Sequence, residues 1–284
     1  MWVYGIKGKK LHTSSIHSFE ELEKFSEEFD WFWVDSLEPS LEELKIISQF
    51  TKVDSKIFED IKSGKVPPRY KKFDGYTFIP ISFAIMQENE LKTYPIYIII
   101  SQKTLFTLRT KESSAPIENA VQTIKDALPE VEGLGLSFVL CELLRENANR
   151  NLDVVMVLRD VIENLEEKAM ARPSKSVMNE VFMLRKQIAT FYRLLWNEQQ
   201  IVGGLKNGLV PNIKLCEKSA LSLEDTMNNL SRELEFLTSY DSTLDGVLRL
   251  QDLSMIHRVE RTLVYLTIIT VIMNLVLILL SLSG

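Results

Sequence analysis

The sequence predicts an α+β domain, a mixed sheet flanked by helices, followed by a long-helix stalk and one C-terminal transmembrane helix. Three observations predict it. Short β-branched and aromatic runs alternate with capped amphipathic segments over the first part of the chain. From about Pro116 the strand signal stops and apolar residues recur at helical spacing. After Arg261 the chain reads TLVYLTIITVIMNLVLILLSLSG, with no ionisable side chain except Tyr265. A helix of that length spans roughly 30 Å of hydrocarbon, which makes a buried soluble helix the lesser alternative.

Taken in order, WVYGI, WFWVDS, YTFIPISFAIM, YPIYIIIS and TLFTLRT read as strands. Between them, Ser18-Phe-Glu-Glu and Ser40-Leu-Glu-Glu open helices with the Ser…Glu pattern of a capping box. Glu88-Asn89-Glu90 reads as a hairpin turn. The next helix, Leu134 to Ala171, carries Val139, Leu143, Leu152, Val155, Leu158, Ile162 and Leu165 on its apolar face, and Arg172-Pro173-Ser174 ends it. A second helix runs from about Val177 to Leu205, closed by Gly203-Gly204 and then NGLVP. A third begins near Glu217 and meets no Pro, so it continues into the apolar span at about 100 Å in all. A helix that long needs lateral support from other helices or from copies of itself. The expected organisation is an α/β domain over 1–115, a helical region with a helical pair over 116–216, a stalk helix over 217–261 and a transmembrane segment over 262–284.

Composition narrows the function class. The chain has 284 residues, 45% hydrophobic and 25% charged, which argues against long disorder and a disulfide-stapled scaffold. A net charge of −6 argues against nucleic acid as partner. Two cysteines, Cys141 and Cys216, suit a reducing compartment and exclude a cysteine-rich metal site. MWVYGIKGKK lacks the apolar run of a signal peptide. His257, Arg258 and Arg261 precede the span, so the positive-inside rule keeps the N-terminal body cytoplasmic. The expectation is a single-pass protein of the cell membrane, inner or plasma.

The membrane segment carries a polar stripe. Glu260, Thr267, Asn274 and Ser281 are seven apart and share one face of a supercoiled helix, and Thr270 joins them. Asn in hydrocarbon is costly unless it meets water, an ion or another polar group, so the stripe implies association with other helices. Three readings stand: polar glue between packed helices, a pore lining whose side-chain oxygens replace part of an ion's hydration shell, and chance. In the pore reading, a ring of Glu260 concentrates cations at the cytosolic mouth and a ring of Asn274 offers neutral oxygens at depth. Mg²⁺ suits such a lining because it prefers oxygen and sheds water reluctantly.

The order of parts, together with FEDIKSGKVPPRYKKFDGYTFI (58–79), YPIYIIISQKTLFTLRT (94–110) and ARPSKSVMNEVFMLRKQIATFYRLLWNEQQIV (171–202), resembles the CorA family of magnesium transporters. The first piece matches the family's Asp…Pro-Arg…aromatic segment at Asp60, Pro68, Arg69, Phe73, Tyr76 and Phe78; the third includes Leu184-Arg185-Lys186. ERTLVYLTIIT is similar to the family's first membrane segment, with its Leu-Thr pair at Leu266 and Thr267. The resemblance implies a homopentamer that carries Mg²⁺ or another divalent cation passively, with Mg²⁺ also a regulator held between cytosolic domains. It places Glu260, Leu263, Thr267, Thr270, Asn274, Leu277 and Ser281 on the pore side. It puts Asp225 in the stalk region of a regulatory acidic residue, where a solvated face is the alternative. The family's Gly-Met-Asn and second membrane helix do not occur in these 284 residues. Gly284 stands about where that Gly would be, and Met273-Asn274 comes too early and lacks the Gly. The expectation is therefore a shortened or divergent relative.

His12, His17 and His257 form no ligand set by spacing, Gly133-Leu-Gly135 lacks the strand context of a dinucleotide fold, and no nucleophile–base pair is placed by the sequence, so an enzyme is not expected. The leading reading is a transporter or channel subunit. Its rival is a non-conducting membrane-anchored assembly or regulatory subunit of the same fold.

Overall fold

The computed structural model describes residues 1–7, 10–127, 135–171, 174–210 and 213–283, the side chains of 279–283 excepted. Its elements are β1 (Trp2–Lys7), β2 (Lys10–Ser15), α1 (Phe19–Glu28), β3 (Trp31–Leu37), α2 (Leu41–Thr51), α3 (Ser55–Ser63), β4 (Lys71–Lys72), β5 (Thr77–Gln87), β6 (Glu90–Ile100), β7 (Thr104–Arg109), α4 (Ser114–Ala127), α5 (Leu136–Ala171), α6 (Lys175–Lys206) and α7 (Glu217–Ser283). Two compact units result: one of residues 1–157 and 190–237, the other of 158–189 and 238–284.

Unit 1 is built on a seven-stranded mixed sheet in the order β2-β1-β3-β7-β6-β5-β4, in which β3 and β7 are parallel and the other neighbours antiparallel. The two-residue period of a strand sends alternate side chains to opposite faces. Phe32 and Val34 therefore join Val3, Phe78, Ile99 and Phe106 in a core closed by Leu22 of α1, Leu44 and Ile47 of α2, and Ile57 and Phe58 of α3. Trp33 and Asp35 face the other way. There the Trp33 indole N–H donates to Thr107 Oγ1 at 2.9 Å, Thr107 Oγ1 donates to Asp35 at 2.7 Å, and Arg109 forks onto both Asp35 oxygens at 2.8–3.1 Å. Arg109 also donates to Ser114 at the start of α4, tying that helix to the end of the central strand β7.

The helix starts follow the expected chemistry with one difference. Ser40 accepts from the Glu43 N–H at 3.1 Å while Glu43 accepts from the Ser40 N–H at 3.0 Å, a complete capping box. Ser18 accepts from Glu21, but the Glu21 carboxylate takes the His17 N–H at 2.8 Å, one residue before the cap. In the β5–β6 hairpin Gln87 pairs with Glu90, and Glu88 and Asn89 both have positive φ (50° and 64°), as a two-residue I′-type turn requires.

Gly203-Gly204 does not close α6, which runs on to Lys206. These glycines answer to packing instead: a Cβ on Gly203 would stand 3.0 Å from Met227 Cε, and one on Gly204 would stand 3.4 Å from the Tyr70 ring. The Arg172-Pro173 stop, Gly133 and Pro211 lie outside the described residues.

Unit 2 is made of α5 from Leu158, α6 up to Ala189 and α7 from Thr238. Leu158, Ile162, Leu165 and Ala169 of α5 and Val177, Val181, Leu184 and Ile188 of α6 are buried, each set at three- and four-residue steps, with Leu244 and Val247 of α7. Arg185 holds Asp241 at 2.8 and 3.1 Å and Asp245 at 3.4 Å, and the Gln251 amide caps the Ala169 carbonyl at 3.3 Å. Helix α7 has 67 residues, about 100 Å at the α-helical rise.

Candidate ion-conducting helix and a buried polar cluster

Among the described residues one helix, α7, is long and apolar enough to cross a membrane, and none of its apolar window is buried within the chain. The predicted seam lies on this stretch. Glu260, Leu263, Thr267, Thr270, Asn274 and Leu277 are all exposed on it; Ser281 lies outside the residues whose side chains are described. Successive steps of three and four residues place them along one line, drifting about 20° per seven residues on a straight helix. Apolar Val264, Tyr265, Leu266, Ile268, Ile269, Val271, Ile272, Leu275 and Val276 fill the rest of the circumference.

The seam's polar groups differ in what they have left to offer. The Thr267 and Thr270 hydroxyls each donate at 2.8 Å to the carbonyl four residues back, Leu263 and Leu266, so their oxygens keep free acceptor lone pairs. Glu260 Oε2 lies 3.0 Å from His257 Nδ1. Asn274 makes no side-chain hydrogen bond among the described residues, and its amide needs a partner from beyond this helix.

Asp225 is exposed on the unit 1 part of α7, within electrostatic reach of Arg145. Arg145 is itself held by Glu142 at 2.6 Å and Glu146 at 3.0 Å. Among the described residues no group of three or more His, Cys, Asp or Glu side chains is disposed to hold a metal ion. His12 packs its ring 5.3 Å from that of Phe29.

Sequence reasoning missed a second polar arrangement, inside unit 1. Glu198 of α6 accepts the Asn147 side-chain amide at 2.9 and 3.1 Å and the Asn151 amide at 3.0 Å, both from α5. Asn147 Nδ2 also reaches the Ser82 carbonyl of β5 at 3.2 Å. Glu233 of α7 is 1% exposed, and its two oxygens, with Asn147 Oδ1 and Asn151 Oδ1, accept no hydrogen bond among the described residues. Burial pushes the Glu198 carboxyl up to about 7 against the opposing pull of the two amides. Burial, and then the Glu198 charge, pushes Glu233 up to about 8, with the charge of Arg232 opposing. A cavity of about 220 Å³ has Glu198 in its wall, with Ser82, Thr190, Arg193 and Asn197. The available signal was phase. Asn147 and Asn151 sit one turn apart on the apolar face of α5, and Glu233 stands between Leu230 and Leu237.

Comparison with known proteins agrees with this architecture. The profile of the family described as "CorA-like Mg2+ transporter protein" matches residues 26–279. The cobalt/magnesium transport protein CorA of Methanocaldococcus jannaschii is 23% identical over 81% of this chain and 73% of its own length. The protein of the same name from Thermotoga maritima is 19% identical over 80% of this chain and 64% of its own length. The complete structure of the M. jannaschii CorA magnesium transporter superposes with a TM-score of 0.75 at 20% identity, covering 95% of this chain and 81% of that one, which shows a shared fold. With a mixed sheet flanked by helices, a long last helix suited to a membrane and a family match over most of its length, the chain belongs to the CorA-like family of divalent-cation transporters.

Proposed function

We propose that this chain is a subunit of a passive divalent-cation pathway, with Mg²⁺ as the substrate that its family and named relatives indicate. In this reading α7 crosses the cell membrane with the N-terminal body in the cytoplasm, and copies of the chain, as a pentamer, bring their seams to one wet axis. Glu260 supplies the negative ring at the cytosolic mouth. Thr267, Thr270, Asn274 and Ser281 supply neutral oxygens at depth, and Leu263 and Leu277 supply apolar constrictions between them. Asp225 would contact a regulatory Mg²⁺.

The observation that carries the reading is Asn274, without a side-chain partner among the described residues, on an apolar stretch of α7 none of which is buried, in line with Glu260 and two threonines whose oxygens still accept. Lipid offers none of these groups a partner, whereas a shared hydrated axis serves all of them at once.

A second reading is favoured by Leu263 and Leu277, two apolar positions among the seven of the seam, which suit it to helix packing. In that case the protein is a non-conducting membrane-anchored assembly or regulatory subunit. Divalent-cation uptake into liposomes separates the two. Conduction predicts wild-type flux that falls at least about tenfold in Glu260→Ala, where the mouth loses its field. Flux absent from wild type, Glu260→Ala and Asn274→Leu alike would leave the packing reading.

A further inference from the structure

Two cavities of unit 1 lie against β5, and each has one arginine in its wall. The one of about 270 Å³ holds Arg150, whose guanidinium already stands 3.4 Å from Asp153 of the same wall. The one of about 220 Å³ holds Arg193, which forms no ion pair among the described residues. Arg193 donates only from Nη2, to Thr190 Oγ1 at 3.3 Å, so Nη1 and Nε keep their protons to offer. Three more donors of that wall, the Ser82 and Thr93 hydroxyls and the Asn197 amide, make no side-chain hydrogen bond among the described residues. The one acid of the wall is Glu198. Its two oxygens already take three amide contacts from α5, and burial keeps its carboxyl uncharged until about pH 7.

The surrounding charge has the same sign. Pro68 of the wall is followed by Arg69, and between Asp60 and Asp74 the chain carries Lys62, Lys65, Arg69, Lys71 and Lys72 with no acid among them. None of these five forms an ion pair among the described residues, although the whole chain has a net charge of −6. A local positive field of this kind draws anions. The rest of the wall is apolar: Pro68, Pro80, Ile81, Leu194 and Ile201. The volume equals that of about seven waters, room for a small organic molecule rather than a bare ion. A cation would meet Arg193, and a neutral ligand would leave its charge unmatched. A dianion would bring two charges to one arginine. A planar carboxylate with an apolar body matches the guanidinium fork and the apolar wall together.

We propose that this cavity is a binding site for a small organic monocarboxylate, with the carboxylate on Arg193, the Ser82, Thr93 and Asn197 donors beside it, and the apolar body against the proline and aliphatic side chains. The site joins β5, β6 and α6, so its occupant would tie the sheet to the helices packed on it. It does not depend on the pore reading: it lies wholly in unit 1, and its test reads binding rather than flux.

The test titrates the full chain in detergent at pH 6 with 4-fluorobenzoate as the probe, followed by its fluorine NMR signal against protein-free micelles. Wild type is expected to show saturable binding with a Kd of about 10 mM or tighter. The neutral analogue 4-fluorobenzamide is expected to bind at least about tenfold more weakly, since it lacks the charge-assisted bonds. Arg193→Gln is expected to weaken 4-fluorobenzoate by the same factor and to leave 4-fluorobenzamide unchanged. Arg193 is exposed and makes one hydrogen bond, so this variant should fold, and an unchanged unfolding temperature checks that it does. Arg150→Gln is expected to leave binding as it is, because that arginine lines the other cavity. No saturable 4-fluorobenzoate in wild type overturns the proposal. So does equal binding by wild type and Arg193→Gln, binding lost in Arg150→Gln alone, or a benzamide that binds as tightly as the benzoate.

Discussion

The buried glutamates Glu198 and Glu233 make unit 1 sensitive to pH in a calculable direction. Glu198 ionises near 4.5 in the unfolded chain but only at about 7 when folded, because burial opposes its charge more than the Asn147 and Asn151 amides support it. A carboxyl raised in this way contributes stability that is fully present below the unfolded value and is lost as pH rises through the folded one. For Glu198 the difference between 4.5 and about 7 corresponds to about 3 kcal/mol, complete above pH 7. Glu233 extends the loss toward pH 8. For a unit of this size, about 3 kcal/mol is on the order of 6–12 °C in Tm. Thermal unfolding followed by circular dichroism, in detergent, should show Tm falling by at least that order between about pH 5 and pH 8, since Glu233 adds a loss in the same direction. Glu198→Gln should flatten the fall, because glutamine has no charge to force into the interior. A wild-type Tm independent of pH over this window would show that these carboxyls do not ionise inside the fold as described, and so would the same slope in the variant.

Three further outcomes follow from the packing. Asp35→Ala strips Arg109 of its carboxylate in a setting where the Arg side chain is only 9% exposed; denaturant unfolding should register a loss of about 3–5 kcal/mol. Gly5→Ala would set a Cβ 2.6 Å from Phe25 and 2.7 Å from Phe29; in the same assay it should lower stability by about 1–3 kcal/mol as the two stacked rings give way. Arg185→Ala removes pairs whose partners are nearly half exposed, so it should cost only about 0–1 kcal/mol, and the difference should shrink with added salt.

Strand and helix identities were legible where burial leaves a local trace. The apolar runs of β5 and β6 and the Glu88-Asn89 turn announce their hairpin, and the absence of Pro after Glu217 announces α7. Strand β2, KLHTSS, left almost none: it is an edge strand with exposed side chains, so nothing selects an apolar alternation. Helix α3 is only nine residues long, too short for periodicity to separate it from the loops around it. The seam on α7 was readable because a seven-residue spacing is a property of one helix. The cluster at Glu198 was not, because Glu198 and Glu233 look like any solvated acid until α5, α6 and α7 are packed together. Gly203 and Gly204 misled for a related reason: glycine ends helices, but it also permits close approach, and only the position of Met227 tells which applies.

In the proposed assembly Glu260, Thr267, Thr270 and Asn274 of different copies face one another across a shared axis. The most direct measurement is disulfide crosslinking of single cysteines, introduced along α7 in a Cys141→Ala, Cys216→Ser background and oxidised in the membrane. Thr267→Cys and Asn274→Cys should form dimers readily, while Ile268→Cys and Leu275→Cys, about 100° further round the helix, should not. Dimers that form at Ile268 and Leu275 but not at Thr267 and Asn274 would contradict it.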